Sequence, residues 1–127
     1  MTTLQLRASD GNTLSAYVVR PEGTPRGAVV VVQEIDLTAA IAAVSHAGRV
    51  GMVGYCWGGR STYLAACHAN IAAGVAYYGG GMPQLLPDTP RCPMMFHFGE
   101  RDSHIPLSDV EKVRKANPQA VFHLYPA

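Results

Sequence analysis

One short stretch concentrates the groups able to do chemistry: Gly54-Tyr55-Cys56-Trp57-Gly58-Gly59. A nucleophile held on a sharp turn between a strand and a helix needs small residues two before and two after it, because the turn crowds its own neighbours. Gly54 and Gly58 stand at those positions, and Cys56 takes the place that serine has in the G-x-S-x-G pattern. A sulfur so placed lies at the carboxyl edge of a sheet and at the amino end of a helix, whose unpaired N–H groups favour a thiolate. The backbone N–H of Trp57 then points where an oxyanion would form. The plain alternative is a tight turn around a small, inert thiol.

The flanking sequence supplies the frame. The apolar run Val50-Gly51-Met52-Val53 precedes the stretch as a strand, and residues 60–69 follow as a helix. Upstream, residues 3–6 and 13–19 alternate apolar and polar positions around Asp10-Gly11-Asn12, which predicts an antiparallel hairpin. After a Pro/Gly loop over 21–27, residues 28–32 form a β-branched run of the kind buried on both faces. Asp36 is placed to cap a helix through about Ala47, with Leu37, Ala40, Ile41 and Val44 at helical spacing and Gly48 as its stop. Downstream come a strand over 75–78, a proline-rich loop over 83–93, a strand over 94–98, an amphipathic helix over 107–116 and a strand over 121–125. Strands alternating with helices predict an α/β fold, a mostly parallel sheet with helices on both faces, whose catalytic groups collect at the carboxyl ends of the strands. The loops holding Gln33-Glu34-Ile35, Cys56 and Gly99-Glu100-Arg101-Asp102-Ser103-His104 occupy those ends.

Composition narrows the function. The 127 residues suit a single domain, and a net charge of +1 gives no basic surface for nucleic acid or an anionic membrane. Cys56, Cys67 and Cys92 are odd in number and lack metal-ligand spacing, so neither a metal nor a cofactor is expected and a reducing compartment is. Residues 1–10 are polar and alternating, and nowhere do about 18 apolar residues run together, which predicts a cytoplasmic protein with no membrane partner.

Together the three loops resemble the dienelactone hydrolase family of α/β-hydrolases, on Gln33-Glu34-Ile35, on Gly54-Tyr55-Cys56-Trp57-Gly58-Gly59 and on Gly99-Glu100-Arg101-Asp102-Ser103-His104-Ile105-Pro106. Tyr77-Tyr78-Gly79 and Tyr125-Pro126-Ala127 also look like that family. The resemblance implies a cysteine hydrolase that opens carboxymethylenebutenolide-type lactones through an acyl-thioester, with a small-molecule lactone or ester as its partner. It implies Cys56 as nucleophile, Asp102 as the carboxylate orienting a histidine, Glu34 as the group holding and activating the thiol, and the amides of Ile35 and Trp57 as oxyanion donors. Read alone, Asp102 is equally an ordinary loop carboxylate capping the next helix, and Glu34 a solvated charge at a strand end.

Two departures from the family pattern stand out. The family places its triad histidine just beyond the Tyr-Pro of the last strand, whereas this sequence ends at Ala127. His46, His68, His97 and His123 read as surface or core residues, which leaves His104, two residues after Asp102, as the local candidate base. The family also continues from its Gln-Glu-Ile through a loop, a helix, a strand and a further helix, whereas Ile35 here abuts Asp36 directly. An internal deletion at 35/36 and a truncation after 127 are therefore expected, either real or belonging to a longer polypeptide. In the shortened form, the strand over 28–32 would keep an unpaired edge or draw the hairpin inward, apolar surface around 94–98 and 121–125 would be exposed, and a homo-oligomer could result. A catalytically inactive, self-associating module and a thiol redox sensor built on Cys56 are the competing functions, although Cys67 lies eleven positions further on.

Overall fold

The computed structural model describes residues 1–33 and 37–127. Strands β1 (Thr2–Arg7) and β2 (Thr13–Val18) form the expected hairpin, a separate two-stranded antiparallel sheet with Leu6 opposite Leu14. Its turn is closed by Ala8 N–H donating to Asn12 O at 2.8 Å and by Asn12 N–H donating to the Asp10 carboxylate at 2.9 Å. The remaining strands are β3 (Gly27–Val32), β4 (Arg49–Tyr55), β5 (Ala73–Tyr77), β6 (Met94–Gly99) and β7 (Val121–Tyr125), and they build a five-stranded, all-parallel sheet in sequence order. Helices α1 (Leu37–Val44), α2 (Trp57–His68) and α3 (Leu107–Ala116) cross between them. A 3-10 turn, Ser45–Ala47, extends α1 to Gly48, whose φ of 113° and bond to Ser45 O stop the helix where the sequence predicts. The expected cap, Asp36, lies outside the described residues. A second 3-10 turn, Met82–Leu85, falls where a proline-rich loop is expected.

Strand order explains which face is covered. A sheet whose order equals its sequence order steps always in one direction, and right-handed crossovers then put every connecting helix on the same side. Val30, Val32, Val50, Met52, Ala76, Met94, Phe96 and Phe98 accordingly join Ile41 of α1, Tyr63, Ala65 and Ala66 of α2 and Val110 and Val113 of α3 in one core. The parallel sheet is as expected, but the helices expected on both faces cover one; among the described residues no helix packs on the other.

That open face is ordered in rows, because parallel register aligns side chains of adjacent strands. One row runs Val31, Val53, Val75, Met95, Val121; a row of small residues, Val29, Gly51 and Ala73, lies below it, and a row of rings, Tyr55, Tyr77, His97 and His123, lies above it. Exposure is concentrated at the margins, with Val29 and Val31 of β3 at 65% and 68%. β3 is the edge strand, and the hairpin has not joined it. Over 94–98 the expected apolar exposure is found only in part: Met94, Phe96 and Phe98 point into the helix layer and are buried, whereas Met95 on the open face is half-buried. At β7, Val121 and Tyr125 are exposed as expected.

Candidate active site

Strand β4 ends at Tyr55 and α2 begins at Trp57, so Cys56 alone makes the turn. It does so with φ 56° and ψ −121°, a conformation that costs a non-glycine residue about 1–3 kcal/mol and persists only where its surroundings enforce it. Those surroundings are specific. Gly59 N–H and Arg60 N–H both reach Cys56 O, at 2.9 and 3.4 Å, closing the first helical turn, while Cys56 N–H donates to Tyr77 O at 3.1 Å and ties the turn to β5. A β-carbon on Gly54 would run into Gly58 O and Thr62 Oγ1, and one on Gly58 into Val32 O. The two glycines let β4, α2 and the end of β3 converge beneath an exposed thiol. Helix α2 thus starts three residues earlier than its sequence pattern suggests, because the strained residue reverses the chain without a connecting loop.

Trp57 opens α2 and is 57% exposed. The Arg60 guanidinium stacks on its ring, 5.3 Å from the centroid, and is fixed from behind by donating to Gly81 O at 2.7 Å and Gln84 Oε1 at 3.2 Å. Arg60 is therefore a brace between α2 and the second 3-10 turn.

Asp102 lies in the loop after β6, at the same end of the sheet as Cys56. Its Oδ1 accepts the His104 N–H at 2.8 Å, and His104 Nδ1 lies 3.7 Å from the same oxygen, with the imidazole 92% exposed. The loop is pinned to the end of the chain, with Glu100 N–H donating to Tyr125 O at 2.8 Å and Arg101 N–H donating to Ala127 O at 2.9 Å. Glu34 and Ile35 lie outside the described residues.

The other histidines are placed as strand and helix residues. His68 pairs with Asp88 at 2.8 Å, and His46 sits on the 3-10 turn after α1. His97 belongs to a feature that the sequence did not single out: the ring row behind the nucleophile. Tyr55 stacks on Tyr77 at 4.9 Å, Tyr77 on His97 at 4.2 Å, and His97 on His123 at 4.9 Å. Tyr125 OH meets His97 Nδ1 at 2.8 Å, whereas His97 Nε2 is buried without a partner. Burial, assisted by the neighbouring His123, pushes the His97 pKa below its ordinary 6.5. The sequence signal was there in aromatic or histidine residues at the carboxyl ends of successive strands, but only the register puts them side by side.

Cys67 is buried far along α2, its thiol pushed up to about 11 by burial with Asp88 adding to it. Eleven residues of helix separate it from Cys56 by about 16 Å, which removes it as a resolving partner. Two clefts, of about 420 Å³ beside the hairpin and about 670 Å³ at the amino-terminal ends of β4 and β5, are lined by neither Cys56 nor Asp102. Among the described residues no cluster of His, Cys, Asp and Glu could hold a metal ion, and no helix is long and apolar enough to cross a membrane.

Comparison with known proteins places this arrangement. The profile of the Dienelactone hydrolase family matches residues 35–127. A carboxymethylenebutenolidase of Pseudomonas putida is 35% identical over 99 residues, covering 71% of this chain and 42% of the relative, so the chain spans less than half the relative's length. Among solved structures, an esterase of Pyrococcus furiosus superposes with a TM-score of 0.81 at 11% identity, over 99% of this chain and 82% of that one. An α/β serine hydrolase of Xanthomonas campestris does so with a TM-score of 0.77 at 11% identity, over 97% and 82%. These two likenesses concern the fold. With residues 35–127 of 127 matched to its profile, the chain belongs to the dienelactone hydrolase family.

Proposed function

We propose that this protein is a hydrolase of the dienelactone hydrolase type, acting on a carboxylated enol-lactone or related ester with Cys56 as its nucleophile. The observation that carries the reading is the conformation of Cys56: an exposed thiol held at φ 56° between a strand and a helix, in a turn that Gly54 and Gly58 make possible. The name of the Pseudomonas putida relative, carboxymethylenebutenolidase, supports the substrate class.

In this reading the Cys56 thiolate attacks the lactone carbonyl, and the negative charge passes to the carbonyl oxygen, for which the family pattern implies the amides of Trp57 and Ile35 as donors. Collapse of that intermediate breaks the ring C–O bond, leaving an acyl-thioester whose freed enol oxygen takes a proton. Water, deprotonated by a base, then attacks the thioester and releases the acid and the thiolate. Glu34 assists formation of the thiolate, and Asp102 orients the histidine that acts as base. Because Arg101 N–H holds Ala127 O, a histidine carried by polypeptide following residue 127 would enter next to Asp102. The 127-residue chain is then expected to acylate faster than it deacylates.

The test is intact mass spectrometry during incubation with a chromogenic acetate ester. One acetyl group per chain, absent in Cys56→Ala and discharged faster when imidazole is added as an external base, is the expected result. An ester-derived adduct that survives Cys56→Ala, or no adduct on a folded wild-type chain, overturns the assignment.

A further inference from the structure

The cleft at the amino-terminal ends of β4 and β5 lies at the far end of the sheet from the elbow, since β4 runs seven residues, about 20 Å, from Arg49 to Tyr55. Its volume of about 670 Å³ is in the range of small-molecule sites. Its walls are the connections that enter β4, β5 and β6, and from them two arginines, Arg49 and Arg91, line the same space.

Strand register explains why the two meet. Continued backwards, the pairs Gly51–Ala73 and Gly74–Met94 put Arg49, Ile71 and Arg91 in one row across the sheet. Ala72 N–H donating to Val50 O at 2.7 Å and Gly74 N–H donating to Pro93 O at 3.0 Å carry the pairing past the strand ends. Two strand spacings, about 10 Å, then separate the arginine backbones, a gap that two side chains can close around one anion. Both backbones are held in place. A β-carbon on Gly27 would lie 2.8 Å from Arg49 O, and Arg91, between Pro90 and Cys92-Pro93, donates its N–H to Ala66 O at 2.8 Å.

The two charges are uncompensated. No Asp or Glu lines the cleft, and neither guanidinium has a hydrogen-bond or ion-pair partner among the described residues. Asp88, three residues before Arg91, is taken by His68 at 2.8 Å. Like charges in one concavity raise each other's energy, and an anion between them reverses the sign of that interaction. Each guanidinium presents a planar fork of donors, and two forks match the oxygens of one phosphate dianion better than the two oxygens of a carboxylate. Asn70 adds amide donors to the cleft, and Ile71 and Pro93 give it apolar surface for an organic group.

We infer that this cleft binds a small phosphate monoester, its phosphate held between Arg49 and Arg91 and its organic part resting on Ile71 and Pro93. Neither Cys56 chemistry nor the lactone enters this inference, so it stands or falls separately from the proposed function.

Phosphorus-31 NMR of inorganic phosphate and of phenyl phosphate, titrated with the 127-residue chain at about pH 7.5, where the phosphate is mostly dianionic, tests it. With chloride holding the ionic strength constant, saturable line broadening with a Kd of about 0.1 to 10 mM is expected for two solvent-accessible ion contacts. Phenyl phosphate should bind at least as tightly as inorganic phosphate. Arg49→Gln and Arg91→Gln should each weaken binding about tenfold or more, while Arg101→Gln, at the opposite end of the sheet, leaves it unchanged. Circular dichroism verifies folding; should a glutamine variant misfold, Arg49→Lys and Arg91→Lys, which keep the charge and lose the fork, are expected to weaken binding by a smaller amount. Broadening that does not saturate, that survives both glutamine substitutions, or that acetate suppresses at equal ionic strength overturns the inference. So does inorganic phosphate binding more tightly than phenyl phosphate.

Discussion

Gly58→Ala is the sharpest probe of how the elbow is built. The added methyl would meet Val32 O and lie 2.6 Å from Val32 C and 3.0 Å from Gln33 Cα, all backbone of β3 or its exit. A side chain could rotate aside, but a strand end cannot move without disturbing its register with β4. Over-packing of this kind costs about 1–3 kcal/mol, and rigid backbone puts the substitution at the upper end. Alanine returns about 1 kcal/mol through its better helix propensity in α2, which leaves a net loss of about 2 kcal/mol. At about 4 °C per kcal/mol for a domain of this size, Tm should fall by about 8 °C. Because the clash pushes α2 away from β3, the alkylation rate of Cys56 should change as well. Gly80→Ala is the control, since the nearest atom to its β-carbon is Ile105 Cγ1 at 3.8 Å, and its melting point should stay within a degree or two of wild type. Differential scanning fluorimetry of both variants decides the matter. A Gly58→Ala protein as stable as the wild type would refute the reasoning that Gly58 is required by close approach rather than chosen for flexibility.

Other outcomes follow from the same structure. Tyr63→Phe removes a buried hydroxyl that donates to Asp88 O at 2.8 Å and accepts from Asn117 Nδ2 at 3.3 Å; it should cost about 1–3 kcal/mol, read as a lowered urea midpoint. His97 has a folded pKa below 6.5, so the unfolded chain takes up its proton first as pH falls. Stability should therefore decline from pH 6.5 down to the folded pKa and level off below it, and His97→Gln should flatten that part of a urea midpoint-versus-pH curve. Cys67 is buried and Cys92 half-buried, both with thiols pushed up by desolvation, which leaves the exposed Cys56 as the reactive thiol. Iodoacetamide at pH 8 should add one label to the native chain and three to the denatured one, counted by intact mass.

Much of the fold is legible because local rules decide it. The β-branched run at 28–32 is strand β3, Gly48 stops the first helix with a positive φ, and Asp10-Gly11-Asn12 closes the hairpin. The elbow is legible too, since Gly54 and Gly58 have no other reason to flank a cysteine so regularly. What depends on long-range register is not legible. Nothing local to Tyr55, Tyr77, His97 or His123 says that they stack, and nothing local to Val29 or Val31 says that their face stays open, because that follows from the order in which the strands step across the sheet. Nothing local to Arg60 says that Gly81 and Gln84, more than twenty residues further on, hold its guanidinium. Glu34 and Ile35 remain expectations from the family pattern.

The brace on Trp57 has an optical consequence. The chain has a single tryptophan, and it is the residue bonded to Cys56, with its indole held against the Arg60 guanidinium while one side faces water. Its fluorescence therefore comes from one place, beside the sulfur. Any group attached to Cys56, or any molecule resting over the elbow, displaces solvent from that ring and shifts its emission, so occupancy of the thiol can be followed in real time with no label added.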